Sequence, residues 1–208
     1  MRPDRAHAVP MLLTVAGSMC SGKSTAGRAC ADLPHLAVHD FDEIGVPDGA
    51  DLRWRQRSME QWLRRVLEYQ SAGVDVLLLG QSPLGEVLAT PSAVHLDGLA
   101  AALVDVADVE RLRRLEARDP GRWDDAARRA CVGWAHWHRG HAADPRHRQE
   151  VITTDAWPGM VWNRWTAWTA DDPRWTVTVL DTTDRSAAGS AADLRAWVVA
   201  ARAHRTAC

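Results

Sequence analysis

Gly17-Ser18-Met19-Cys20-Ser21-Gly22-Lys23-Ser24 fits the pattern G-x-x-x-x-G-K-[ST] of a phosphate-binding loop. It follows an apolar run, residues 11–16, and opens a helix-compatible stretch over 24–32. The strand–loop–helix setting is what the chemistry requires. Glycines let the backbone fold tightly so that its N–H groups converge, and a helix start adds partial positive charge. Lys23 would reach the β- and γ-phosphates of a nucleoside triphosphate. Ser24 would offer its hydroxyl to Mg²⁺, with Thr25 beside it. Of 25 basic residues, Lys23 is the single lysine. An arginine-biased genome explains the others, and Arg is a poor substitute for a compact point charge in this loop.

A second group of chemical residues follows the second predicted strand, residues 36–39. It is the acidic run Asp40-Phe41-Asp42-Glu43. If the chain stays extended there, Asp40 and Asp42 point to the same side. One can then serve a metal while the other serves an acceptor. Two kinds of phosphate-loop protein are disfavoured. The N-K-x-D base-reading motif of a GTPase is absent, and the third strand ends Leu77-Leu78-Leu79-Gly80-Gln81, without the carboxylate usual in motors and transporters.

The strand-end D-x-D resembles that of P-loop small-molecule kinases such as shikimate kinase. That resemblance implies that Asp40 organises Mg²⁺ through water and that Asp42 contacts the acceptor. Chloramphenicol phosphotransferase is similar in having an Asp seven residues before a Pro, matched by Asp40 and Pro47. Gluconate kinase is similar in lacking a carboxylate after the third strand. Val104-Asp105-Val106 followed by Arg114-Leu115-Glu116-Ala117-Arg118 resembles the entry to the lid of such kinases. Leu180-Asp181-Thr182-Thr183 resembles the turn that packs near adenine. The resemblance implies ATP as phosphoryl donor, Mg²⁺ as cofactor and a small-molecule hydroxyl as acceptor. It makes Lys23, Asp40, Asp42 and Arg118 the candidate catalytic residues, with Arg114 joining the loop in nucleotide binding. Two alternatives are a nucleoside or nucleotide kinase and a regulatory or toxin-like nucleotide-binding protein.

Weaker candidates lie on the helix after the D-x-D and near the tip of the third strand. Arg53, Arg55, Arg57 and Arg64 lie on that helix with Trp54 and Trp62. Of these, Arg53, Trp54 and Arg57 are assigned to the acceptor, as an anion-holding Arg or a stacking Trp. Gln81 and Glu86 are assigned there too, since ligands gather at the carboxyl ends of strands in open sheets. His136-Trp137-His138-Arg139-Gly140-His141, with His147 beyond, matches no standard zinc spacing. A basic lid segment carrying Arg139, Arg146 and Arg148 is the preferred reading. Cys20 sits where a phosphate loop can lower a thiol's pKa.

Elements must position these groups. Strands are expected over 11–16, 36–39, 74–79, 99–106 and 175–180, alternating with helices. A long helix begins at Asp51 and buries Met59, Trp62, Leu63, Val66 and Leu67. The last helix presents Leu194, Trp197, Val198 and Ala201 on one face. The expected fold is α/β: a P-loop NTPase fold with a five-stranded, mostly parallel sheet, helices on both faces and a helical lid insertion. The 208 residues form one domain, with the Trp-rich stretch 119–173 as lid or insert and 119–147 as its moving part.

Composition bounds the rest. A formal net charge of -2 gives no general pull toward nucleic acid, and no run of eighteen apolar residues spans a membrane. Residues 1–10 do not read as a secretion signal. Cys20, Cys30, Cys131 and Cys208 are spread without a C-x-x-C pair, which reads as reduced thiols in a cytoplasmic protein.

Overall fold

The structure is a computed structural model and describes residues 9–204. The reading of the first eight residues and of Cys208 falls outside the described residues. Five strands run β1 Leu12–Ala16, β2 Leu36–Asp40, β3 Asp75–Leu79, β4 Leu99–Asp105 and β5 Val177–Asp181. They pair in the order β2-β3-β1-β4-β5, and every pairing is parallel. The helices are α1 Lys23–Arg28, α2 Leu52–Ser71, α3 Leu84–Ala89, α4 Asp108–Arg118, α5 Asp125–Ala143, α6 Glu150–Thr153 and α7 Ala187–His204.

The central strands are mainly apolar because both faces are covered. All five residues of β1 and of β3 are buried. Pleating sends Leu13, Val15, Leu77 and Leu79 to the face packed by Leu194 and Val198 of α7. Leu12, Val76 and Leu78 face α2, which buries Met59, Trp62, Leu63 and Val66 as its spacing predicts. Asp51 caps α2 by accepting a hydrogen bond from the Trp54 amide at 2.7 Å. Gly73, at φ 73°, turns the chain out of it.

The Trp-rich stretch, expected as lid or insert, packs in part against the sheet. Trp137 of α5, Ile152 of α6, Trp165 and Trp175 form a third cluster with Leu84 and Ala101. These tryptophans are the apolar cover of the sheet on the β4 side, so part of 119–173 belongs to the core. Residues 119–124, between α4 and α5, lie outside helices, as do 144–149 and most of 154–173.

His141 is held inside this layer. It stacks on Trp137 at 4.7 Å and meets Trp165 and Trp175 edge-on. Burial pushes its pKa down from 6.5 to about 4, so it folds neutral. The unfolded chain therefore binds the extra proton between pH 6.5 and 4, and stability falls as pH drops through that window. The loss is on the order of 3 kcal/mol, and none is felt above the window. His141→Phe keeps the ring and removes the titration. Its melting temperature is expected to fall less than wild type between pH 6.5 and 4. Parallel acid melts that superimpose would refute this.

Candidate active site

The phosphate loop is built by constraints from outside it. A Cβ on Gly17 would stand 2.6 Å from the Val104 carbonyl oxygen and 2.7 Å from Ser21 Oγ, so only glycine lets the loop close on β4. Cys20 and Gly22 take φ 60° and 95°, the left-handed turns that curl a backbone into an anion-binding concavity. The Met19 carbonyl accepts from Arg111 Nη1 at 2.6 Å, and the Ser21 carbonyl accepts from Thr182 Oγ1 at 2.9 Å. In a trans peptide the following N–H points the opposite way. The Cys20 and Gly22 amides are thus turned from these outer partners. Gly17 and Ser18 shape the floor, with Ser18 Oγ donating to the Cys131 carbonyl of α5 at 3.2 Å.

Helix α1 is shorter than expected. Its α-helical part ends at Arg28, and i→i+3 turns carry the chain to Leu33. A six-residue helix carries little macrodipole, so an anion held here would rest on backbone amides and Lys23. Gly27 lets α1 approach β3 closely, since a Cβ there would meet Leu79 at 2.2 Å.

The loop opens into a cleft of about 990 Å³. Met19, Cys20, Ser21, Gly22, Lys23, Ser24 and Thr25 line one wall, and Asp40, Asp42, Trp54 and Gln81 line another. Burial lowers the Lys23 pKa, opposed by the charges of Asp40 and Asp42 facing it. Ser24 Oγ donates to Asp40 Oδ2 at 2.6 Å, joining the two walls.

The chain after β2 is not extended. Phe41–Ile44 is a 3-10 turn capped by Asp40, whose Oδ1 accepts from the Asp42 amide at 3.2 Å. Asp40 thus both caps this turn and lines the cleft. The same-side argument for the two aspartates fails, yet the turn still brings both to the cleft. Burial first, then the Asp40 charge, pushes the Asp42 carboxyl above its ordinary range.

The other expected residues divide. Arg114 and Arg118 line the cleft. Arg114 is also a clamp: Nη2 donates to the Thr182 carbonyl at 2.7 Å, and Nε pairs with Glu110 at 2.8 Å. Arg118 pairs with Asp119 at 2.9 Å. Arg53 and Arg57 are corrected. Neither lines the cleft, and Arg53 donates to the Asp155 carbonyl instead. Arg55 takes their place, because helical spacing from Asp51 puts Trp54 and Arg55 on one face. Glu86 is also corrected: it is fully buried and grips Arg55 at 2.7 and 2.9 Å from beneath. Gln81 lines the cleft and accepts from Trp134 Nε1 at 3.1 Å.

The His-rich segment is structural. Arg139 pairs with Asp105 and Asp108, Arg146 donates to the Trp168 carbonyl, and Arg148 pairs with Glu150. None lines the cleft. Among the described residues no cluster of three or more His, Cys, Asp or Glu suits a metal. The Cys20 thiol is pushed up by burial, not down.

Sequence reading missed Arg111, which is wholly buried. It joins Asp105 at the end of β4 to the phosphate loop, with Nη2–Oδ1 at 2.7 Å. Nothing in a helical run of arginines marks one as buried. Arg111→Met leaves Asp105 with Arg139 alone and frees the Met19 carbonyl. It is expected to cost roughly 3 kcal/mol in urea unfolding and to weaken nucleotide binding. Arg111→Lys should recover little, lacking the fork. A variant within about 1 kcal/mol of wild type and equal in nucleotide affinity would contradict this role.

No protein-family model matches the chain, and no curated protein matches it significantly. Solved structures do. The chain is similar to a sugar kinase from Janibacter sp., with TM-score 0.56 and 15% identity, covering 93% of this chain and 97% of that one. It is similar to APE1195 with TM-score 0.53 and 19% identity, covering 94% and 98%. A chain of the Pnkp1/Rnl/Hen1 RNA repair complex matches at TM-score 0.51 and 17% identity, over 67% of this chain and 48% of that one. At these identities the likeness is one of fold. The all-parallel α/β sheet with its phosphate loop resembles the P-loop small-molecule kinases in fold.

Proposed function

We propose that this chain is an ATP-dependent phosphotransferase that phosphorylates a hydroxyl group of a small molecule. One observation carries the reading: the phosphate loop, with Lys23, faces Asp40 and Asp42 across a single cleft, and Ser24 is bonded to Asp40. The cleft has the two ends that transfer between two substrates needs. Arg113, Arg114, Arg118 and Arg185 gather on the α4 and α7 side. Asp42, Trp54, Arg55 and Gln81 gather on the α2 and β3 side. The first suits the nucleotide and the second the acceptor.

The donor set at the junction fits Mg²⁺. A serine hydroxyl and a carboxylate are hard oxygen ligands, and Mg²⁺ at phosphates takes few protein ligands and keeps several waters. Bound by Ser24 and Asp40, it would neutralise charge on the β- and γ-phosphates. The chain's own residues do the rest. Loop amides and Lys23 hold the β- and γ-phosphates in register. Asp42 orients the acceptor hydroxyl and takes its proton. The acceptor oxygen bonds to the γ-phosphorus as the bond to the bridging oxygen breaks, and ADP leaves. A raised Asp42 pKa makes it a better late-transfer base. Arg118, paired at the surface with Asp119 and half exposed, can meet charge on the transferred group.

The test is an ADP-release screen with Mg²⁺ over sugars, nucleosides, carboxylated polyols and antibiotics. Acceptor-stimulated release supports the reading. Failure to bind a non-hydrolysable ATP analogue with Mg²⁺ would end it.

A further inference from the structure

The two ends of the cleft differ in charge, and the difference traces to one buried residue. Among the described residues, Arg55 is the only cation on the acceptor side of the lining. It is not a free anion receptor. Its Nε and Nη2 both bond to Glu86, whose side chain is fully enclosed. Gln56 Nε2 adds a bond to the same carboxylate at 3.2 Å, and the Arg55 guanidinium lies 4.9 Å over Trp134. A bidentate pair with one partner fully enclosed is close to neutral at short range and fixed in place. The remaining charges on this wall are Asp40, Asp42 and Asp51, all negative. A second carboxylate or a phosphate placed beside Arg55 would meet the charge of Glu86 beneath and that of Asp42 in the same lining. Trp54, packed edge-on against Phe41 at 5.9 Å, offers an apolar ring at the same wall.

We infer that the acceptor carries no anionic group: it is an uncharged or amine-bearing hydroxyl compound with an apolar ring face. This rests on the kinase reading and deepens it. Arg55 then serves as a rigid hydrogen-bond donor through Nη1, and Glu86 is the positioning residue that sets its charge preference. Asp42 and Asp51 favour an amine where one is present.

The test uses the full chain loaded with a non-hydrolysable ATP analogue and Mg²⁺. Loading is checked first. If it fails, the kinase reading falls, whatever the sugars do. Loaded protein is then titrated calorimetrically with glucose, glucosamine and glucuronate, which share a ring and differ in charge. Glucuronate is expected to bind at least ~10-fold more weakly than glucosamine, as suits an unpaired charge near like charges. Glu86→Gln frees the Arg55 charge and should narrow that gap ~10-fold. Asp51→Ser is a safeguard against misfolding. It keeps a capping oxygen, removes one negative charge, and should raise glucuronate affinity alone. Glucuronate binding equal to or tighter than glucosamine overturns the inference. So does an order unmoved by both variants. Absence of binding by all three sugars in every variant also counts against it, since charge would then not govern entry.

Discussion

Lys23→Ala is expected to lower acceptor-dependent ADP release by ~10²–10³-fold or more and to weaken nucleotide binding. The size follows from the site's composition. Arginines line the far end of the cleft, but Arg114 is engaged by Thr182 and Glu110, and Arg113 by Glu110. No other residue of the loop wall carries a positive charge to where β- and γ-phosphates would lie. Lys23 is also held in a desolvated place opposite two carboxylates, where a compact cation acts strongly. Lys23→Arg should fail nearly as badly, because a planar guanidinium does not fit a loop closed by Gly17 and Gly22. Steady-state kinetics and analogue titration measure both effects. Wild-type turnover in either variant would remove the phosphate-loop assignment.

The aspartates should separate by what each one touches. Asp42→Asn is expected to lower kcat by ~10²–10⁴-fold with ATP affinity nearly unchanged, as loss of a general base does. Its side chain opens into the cleft, and its amide, not its carboxylate, makes the bond to Asp40. Asp40→Asn should act in two ways. Loss of the charge bonded to Ser24 Oγ lowers kcat and raises the Mg²⁺ concentration needed. Weakening of the cap on Phe41–Ile44 lowers the melting temperature, with caps worth about 0.5–2 kcal/mol. Kinetics, Mg²⁺ titrations and thermal melts on both variants decide it. Full kcat in both, with earlier melting only, would make the pair structural and turn attention to Glu43.

Local pattern determined a good deal of this protein. Apolar runs bounded by glycine marked β1 and β3, because strands covered on both faces need no polar alternation. The helical spacing of Met59, Trp62, Leu63 and Val66 marked α2, and Asp51 marked its start. The shape of the candidate phosphate loop was legible for a similar reason. Its backbone geometry is one that only certain residue types permit, and those types sit side by side in the chain.

Tertiary structure decided what depends on partners far apart in sequence. The tryptophans of 134–175 could have capped a mobile flap, but the apolar side of Ala101 and Leu84 required a cover, and they supply it. Arg55, Arg53 and Arg57 look alike in the sequence. Helix phase and Glu86, thirty-one residues on, send one to the cleft, and Asp155 holds another away. Arg111 is one arginine in a run until Met19 and Asp105 bury it. Charge placement is a sum over neighbours in space, so such roles appear only when the chain has closed on itself.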